Sequence, residues 1–229
     1  MFGEKELNNF YSDISCSEGM QITTFQNTLE SLFSDSRTNH DIEQYRLGRN
    51  SWKKLRDEVV PVSSFLKLNY VKADRIRFPL DNHTPDCWLM SNSVSNRGME
   101  VTIERGREHY HLATELNKEG LGRGFIGLQD DDPQSEFTKK MSRDREMYTT
   151  EQALEATKHG IMRCLSRKNQ SEKYRKVHYL LIQAHLNILP RKRWEAIKED
   201  LIREARILSF QEIHVIGDSR NDVWGFQIK

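Results

Sequence analysis

Apolar positions along this chain change their spacing several times, and each change marks an element. Residues 1–40 are rich in Ser, Thr, Asn and Gln. Ile22, Phe25, Leu29 and Leu32 fall at helical spacing there, which predicts one short helix in a polar arm, either docked on the main domain or partly disordered. From Asp41 the pattern becomes helical, and residues 41–229 read as one domain. Ser51 is placed as the N-cap of a helix carrying Trp52, Leu55 and Val59 on one face. Pro61 is expected to end or kink it, with residues 62–68 resuming. Residues 70–78 alternate imperfectly and read as a strand, as do 87–90 and 99–104. The last two are joined by a turn-rich link and make a hairpin centred near Ser93.

Further along, residues 107–120 predict a helix with His109, Leu112, Ala113 and Leu116 on one stripe, stopped by Gly120. A short strand is expected at Phe125 to Leu128, then a polar loop from Asp130 to Tyr148. Thr149 and Gln152 stand at capping-box spacing and open a helix through Leu165, with Leu154, Thr157, Ile161 and Leu165 as its stripe. Residues 177–186 are almost continuously apolar, the pattern of a strand covered on both faces. Pro190 opens a helix with Trp194, Ile197, Leu201 and Ala205, and strands follow at 212–217 and 223–229. The order predicts an α/β fold: a mixed central sheet, an antiparallel hairpin and meander first and parallel strands later, flanked by helices.

Composition narrows the class. Hydrophobic residues make up 36% and charged residues 30%. No apolar run approaches the ~20 residues of a membrane helix, so no membrane partner is expected. Neither is a signal peptide, because the first residues lack a basic segment followed by an apolar one. Cys16, Cys87 and Cys164 are odd in number and widely spaced, which suits a reducing, cytoplasmic compartment and argues against a zinc ribbon. A net charge of +1 neither supports nor excludes nucleic acid; contact would need a local basic face.

The chemistry gathers on the hairpin. Asp86 follows Pro85 at the start of one strand, and Glu100 opens the next, sharing a face with Thr102 and Glu104. A turn near Ser93 puts Asp86 opposite Glu100, with Cβ atoms roughly 5 Å apart. Two carboxylates that close repel unless a cation lies between them, and oxygen donors beside a phosphate suit Mg²⁺. The alternative is a solvated polar strand face that holds no metal.

Pro85-Asp86 followed by Glu100-Val101-Thr102, within the order helix, three-stranded meander, helix, buried strand, resembles the PD-(D/E)XK nuclease superfamily over roughly residues 50–186. The resemblance implies a Mg²⁺-dependent nuclease that hydrolyses phosphodiester bonds, with DNA as the expected partner. It also implies a metal site of Asp86 and Glu100, with Glu58 on the first helix as a further ligand. The chain departs from the family where Thr102 stands in place of the motif lysine. Lys158 on the later helix is a candidate replacement; otherwise the site is degenerate and the fold only binds nucleic acid or a protein partner. Gln183, polar in an apolar strand, is a candidate to face the site.

Other signals are weaker. Arg105, Arg107 and Arg123 are candidates for phosphate contacts, with a charged helix start as the alternative. Trp88 stacks on a base if it shares the face of Asp86, or packs beneath a helix. Gly120, Gly122, Gly124 and Gly127 follow a helix and lack Gly-Lys-Ser/Thr, so a cap and turn is favoured over a phosphate loop. Asp130, Asp131 and Asp132 lack calcium-loop spacing. His109 and His111 diverge on their helix, and His83 and Cys87 have no partners at zinc spacing, so all four are read as structural or surface groups. The oligomeric state is left open, a homodimer included.

Overall fold

The computed structural model describes residues 3–81, 83–91, 95–144, 146–175 and 177–229. The elements are α1 (Glu4–Ser15), β1 (Met20–Gln21), α2 (Ile22–Ser34), α3 (Asn39–Leu47), α4 (Trp52–Lys54), a π-helical turn (Leu55–Val59), α5 (Val60–Lys67), β2 (Arg75–Arg77), β3 (Cys87–Met90), β4 (Arg97–Ile103), α6 (Gly106–Glu119), α7 (Gln134–Met141), α8 (Thr150–Arg167), β5 (Val177–Ala184), α9 (Glu195–Ala205), β6 (Glu212–Gly217) and β7 (Gly225–Gln227). The strands form one seven-stranded sheet in chain order, β1 to β7. Pairs β1–β2, β2–β3, β3–β4 and β6–β7 are antiparallel, while β4–β5 and β5–β6 are parallel. The fold is therefore α/β, with a mixed sheet between two helical layers.

Each layer follows from strand alternation. On one face Ile76, Cys87, Leu89, Met99, Val101, Tyr179 and Leu181 pack against α1, α2, α4 and α5; on the other Leu180, Ile182, Ile213 and Val215 pack against α8 and α9. As expected, β5 lies inside the sheet, between parallel neighbours β4 and β6. The capping box that opens α8 is present: Thr149 Oγ1 accepts from Gln152 N–H, and Gln152 Oε1 accepts from Thr149 N–H.

Several expectations give way. Of the two readings of the N-terminal segment the docked one holds, and the docking is deep: Leu7, Phe10, Ile14, Phe25 and Leu29 are fully buried, and β1 extends the sheet. Aromatic and aliphatic residues at helical spacing outweigh the polar composition around them. Pro61 does not end its helix: it falls in the first turn of α5, directly after the π-helical turn, and α5 continues to Lys67. Ser51 does stand at the N-cap of α4, without a side-chain cap bond. No strand forms at 125–128, and the loop after Asp130 contains α7. The final strand is antiparallel to β6 rather than parallel. The expected turn centre, Ser93, lies outside the described residues. Among the described residues no helix is long and apolar enough to cross a membrane.

Candidate active site

The β3–β4 register pairs Cys87 with Met99 and Trp88 with Gly98, so Asp86, one residue before β3, stands level with Glu100. With β3 ended, the Asp86 carboxylate closes the ladder itself: its Oδ2 accepts the Val101 N–H at 2.7 Å. Glu100 is 5% exposed in the middle of β4. Its Oε1 accepts from Lys168 Nζ at 2.6 Å, and its Oε2 is buried with no hydrogen-bond partner among the described residues. Lys168 is the C-cap residue of α8, where a cation also suits the negative end of the helix. Its stem lies near the Tyr174 ring, 5.3 Å from ammonium to centroid.

The electrostatics are those of crowded carboxylates. Burial pushes the Asp86 carboxyl up to about 7, and the charges of Glu100 and Glu58 add to the rise, against the Val101 N–H and Lys168. Burial disfavours the Lys168 ammonium, but the Glu100 carboxylate more than offsets this and its pKa is raised. Glu58, in the π-helical turn, is raised by burial despite its 2.6 Å ion pair with Lys54.

Asp86, Glu100 and a lysine thus come together, but the lysine is Lys168. Lys158 instead faces out between α8 and α9, 2.7 Å from Glu155 and 3.5 Å from Asp200. The two lysines lie nearly three helical turns apart along α8, and that offset decides which reaches the sheet. Thr102 is turned toward α8, its hydroxyl 3.9 Å from Cys164 Sγ. Gln183 is buried on β5, but alternation sets it opposite Leu180 and Ile182, the register partners of Glu100 and Thr102, so it does not face the site. Glu58 feels the charge of Glu100 but completes no three-ligand set with Asp86 and Glu100. Among the described residues the only three such ligand atoms within 4.8 Å of one another lie elsewhere.

The expected phosphate-binding arginines are bound within the protein. Arg105 is 2% exposed, ion-paired with Glu104 and Glu108, and stacked 4.6 Å from the Phe125 ring centroid. Arg107 donates to the Asp130 and Asp132 carbonyls and to Gln134. Arg123 pairs with Glu115 and donates to the Lys140 carbonyl. Their sequence position beside the hairpin hid the fact that the loop after α6 folds back over them. Lys173 and Arg175 are exposed in the segment that follows Lys168.

The donors present are hard oxygens, and one of them is a buried, unpartnered carboxylate oxygen. That set fits a Mg²⁺ ion, which takes one or two carboxylates and completes its shell with water or phosphate. No family model, curated protein or solved structure matches this chain.

Proposed function

We propose that this chain is a metal-dependent nuclease, hydrolysing phosphodiester bonds in nucleic acid and in DNA foremost. The observation that carries the proposal is the Asp86–Glu100 pair: two carboxylates level across a strand pair, one with its pKa driven to about 7 and the other with a buried oxygen lacking a partner. Such a pair is unfavourable without a cation and favourable with one. Asp86 and Glu100 are the residues that would hold Mg²⁺. When bound, the ion would lower the pKa of a bound water and neutralise charge on the phosphate oxygens. Lys168 Nζ supplies the positive charge that Thr102 lacks, beside Glu100 Oε1, where it can offset charge on a phosphate. Lys173 and Arg175 supply backbone contacts outside the site. The resemblance to PD-(D/E)XK nucleases in residue order agrees with this reading.

A second reading, a nuclease-like fold that binds without cutting, draws on one observation: Lys168 already neutralises Glu100 in the metal-free chain. One experiment separates the two. The full chain is incubated with single- and double-stranded DNA and RNA in Mg²⁺ or Mn²⁺, beside Asp86→Asn. Cleavage by the wild type alone supports the enzyme. Binding without cleavage in either metal favours the second reading, and cleavage that survives Asp86→Asn removes the site from consideration.

A further inference from the structure

A second cluster of metal-ligating side chains stands apart from the hairpin carboxylates. His109 lies in the first turns of α6, just after β4; His185 follows β5 directly; Asp218 follows β6 directly. The three are thus delivered by the C-terminal ends of the three parallel strands, the edge at which open α/β sheets receive ligands. One ligand atom from each lies within 4.8 Å of the other two. All three side chains are partly buried.

We propose that His109, His185 and Asp218 form a binding site for a borderline divalent metal ion of the Zn²⁺ class. Two imidazoles and one carboxylate are the donors such ions prefer, whereas Mg²⁺ prefers oxygen alone. The ligands are held from behind. Asn187 Nδ2 donates to Asp218 Oδ1 at 3.1 Å, and the Trp224 indole N–H donates to Asn187 Oδ1 at 3.2 Å. This chain of bonds sets the plane of the carboxylate, as outer partners do at metal centres. The two imidazole rings meet edge to face, with centroids 6.0 Å apart, so their nitrogens approach one point from different directions. His185 Nδ1 lies 2.5 Å from Asp218 Oδ2, so two of the three ligand groups are already in direct contact.

Three protein ligands leave a coordination position open, the arrangement of sites that bind a further ligand rather than of closed structural sites. That position faces a cavity of about 320 Å³ with Leu112 and Leu116 on one wall and Arg46, Arg56 and Arg123 around it. The open position therefore takes water or a small oxygen ligand carried into that cavity.

The full chain, stripped with a chelator and held in excess Mg²⁺, is titrated with Zn²⁺ by calorimetry. The expected result is one tightly bound Zn²⁺ per chain, with affinity at least 100-fold lower in His109→Ala and in His185→Ala and unchanged in Asp86→Asn. The absence of stoichiometric binding, affinity untouched by both histidine variants, or equal loss in Asp86→Asn would overturn the proposal. A measurement on the wild type alone guards against variants that fail to fold: Zn²⁺ should shift the imidazole NMR signals of His109 and His185. Shifts confined to the exposed His40, His83 or His159 would place the ion on the surface and reject the site.

Discussion

The hairpin cluster and the strand-edge cluster use ionisable groups in opposite ways. On the hairpin, Asp86 and Glu100 carry like charge, one lysine answers both, and Glu100 Oε2 has no hydrogen-bond partner among the described residues. At the strand edge, His185 and Asp218 carry complementary charge and each has a partner. Burial works against the His185 cation, but Asp218 more than compensates and its pKa is raised; Asp218 is lowered by the same contact against its own burial. The first cluster therefore holds a surplus of negative charge that a cation would offset, while in the second the charges already answer each other.

Lys168→Ala is the strongest way to break this contrast. It leaves Glu100 buried beside Asp86 with no cation, and removing one partner of a buried pair is expected to destabilise the metal-free chain by about 3 kcal/mol. Mg²⁺ should restore much of the loss, and cleavage should fall at least 100-fold. Denaturant melts with and without Mg²⁺ measure the first effect and a cleavage assay the second. A variant that melts like the wild type would show that Lys168 is incidental to the pair.

The pH dependence of stability separates Asp86 from His109 by sign. The folded pKa of Asp86, about 7, lies above its ordinary 3.8. The native state thus holds an extra proton between those values, and stability falls by a few kcal/mol as pH rises from about 4 through 7. Asp86→Asn should flatten that slope and stabilise the protein at pH 8, because the amide oxygen still accepts the Val101 N–H. A residual slope is expected from Glu104, also raised to about 7 by burial. Chelator-treated melts across this range test it, and an unchanged slope in Asp86→Asn would contradict the crowding of the pair.

His109 runs the other way. Burial, then repulsion from His185, lowers it to about 4 from 6.5. The unfolded chain binds the extra proton between those values, so this contribution, a few kcal/mol, is present above pH 6.5 and lost as pH falls through 4. His109→Gln should make the acid limb of the stability profile shallower, while Asp86→Asn leaves its share on that limb intact. Proton NMR titration of the His109 ring gives the direct check.

Lys158→Ala should do least. Its partners are surface carboxylates, so stability should change by less than about 0.5 kcal/mol and cleavage should stay at the wild-type rate. A large loss of cleavage would return Lys158 to the site in place of Lys168.

Local pattern was enough to expect the α/β class, the buried β5, the capping box of α8, and Asp86 standing level with Glu100. Each depends on neighbours within a turn, a strand or a hairpin, where spacing and side-chain direction are coupled by the backbone itself. Tertiary structure alone decided the rest. Polar composition masked the buried stripe of α1, because exposed residues outnumber the few that fill the core. Lys168 reaches Glu100 only because α8 lies across β4, and the same docking turns Lys158 outward. Arg105, Arg107 and Arg123 are claimed by a loop whose path no local rule predicts. His109, His185 and Asp218 are separated along the chain by whole strands and helices, and only the parallel pairing of β4, β5 and β6 sets their strand ends side by side. A sequence states which groups can bond; which of them meet is settled by how the layers pack.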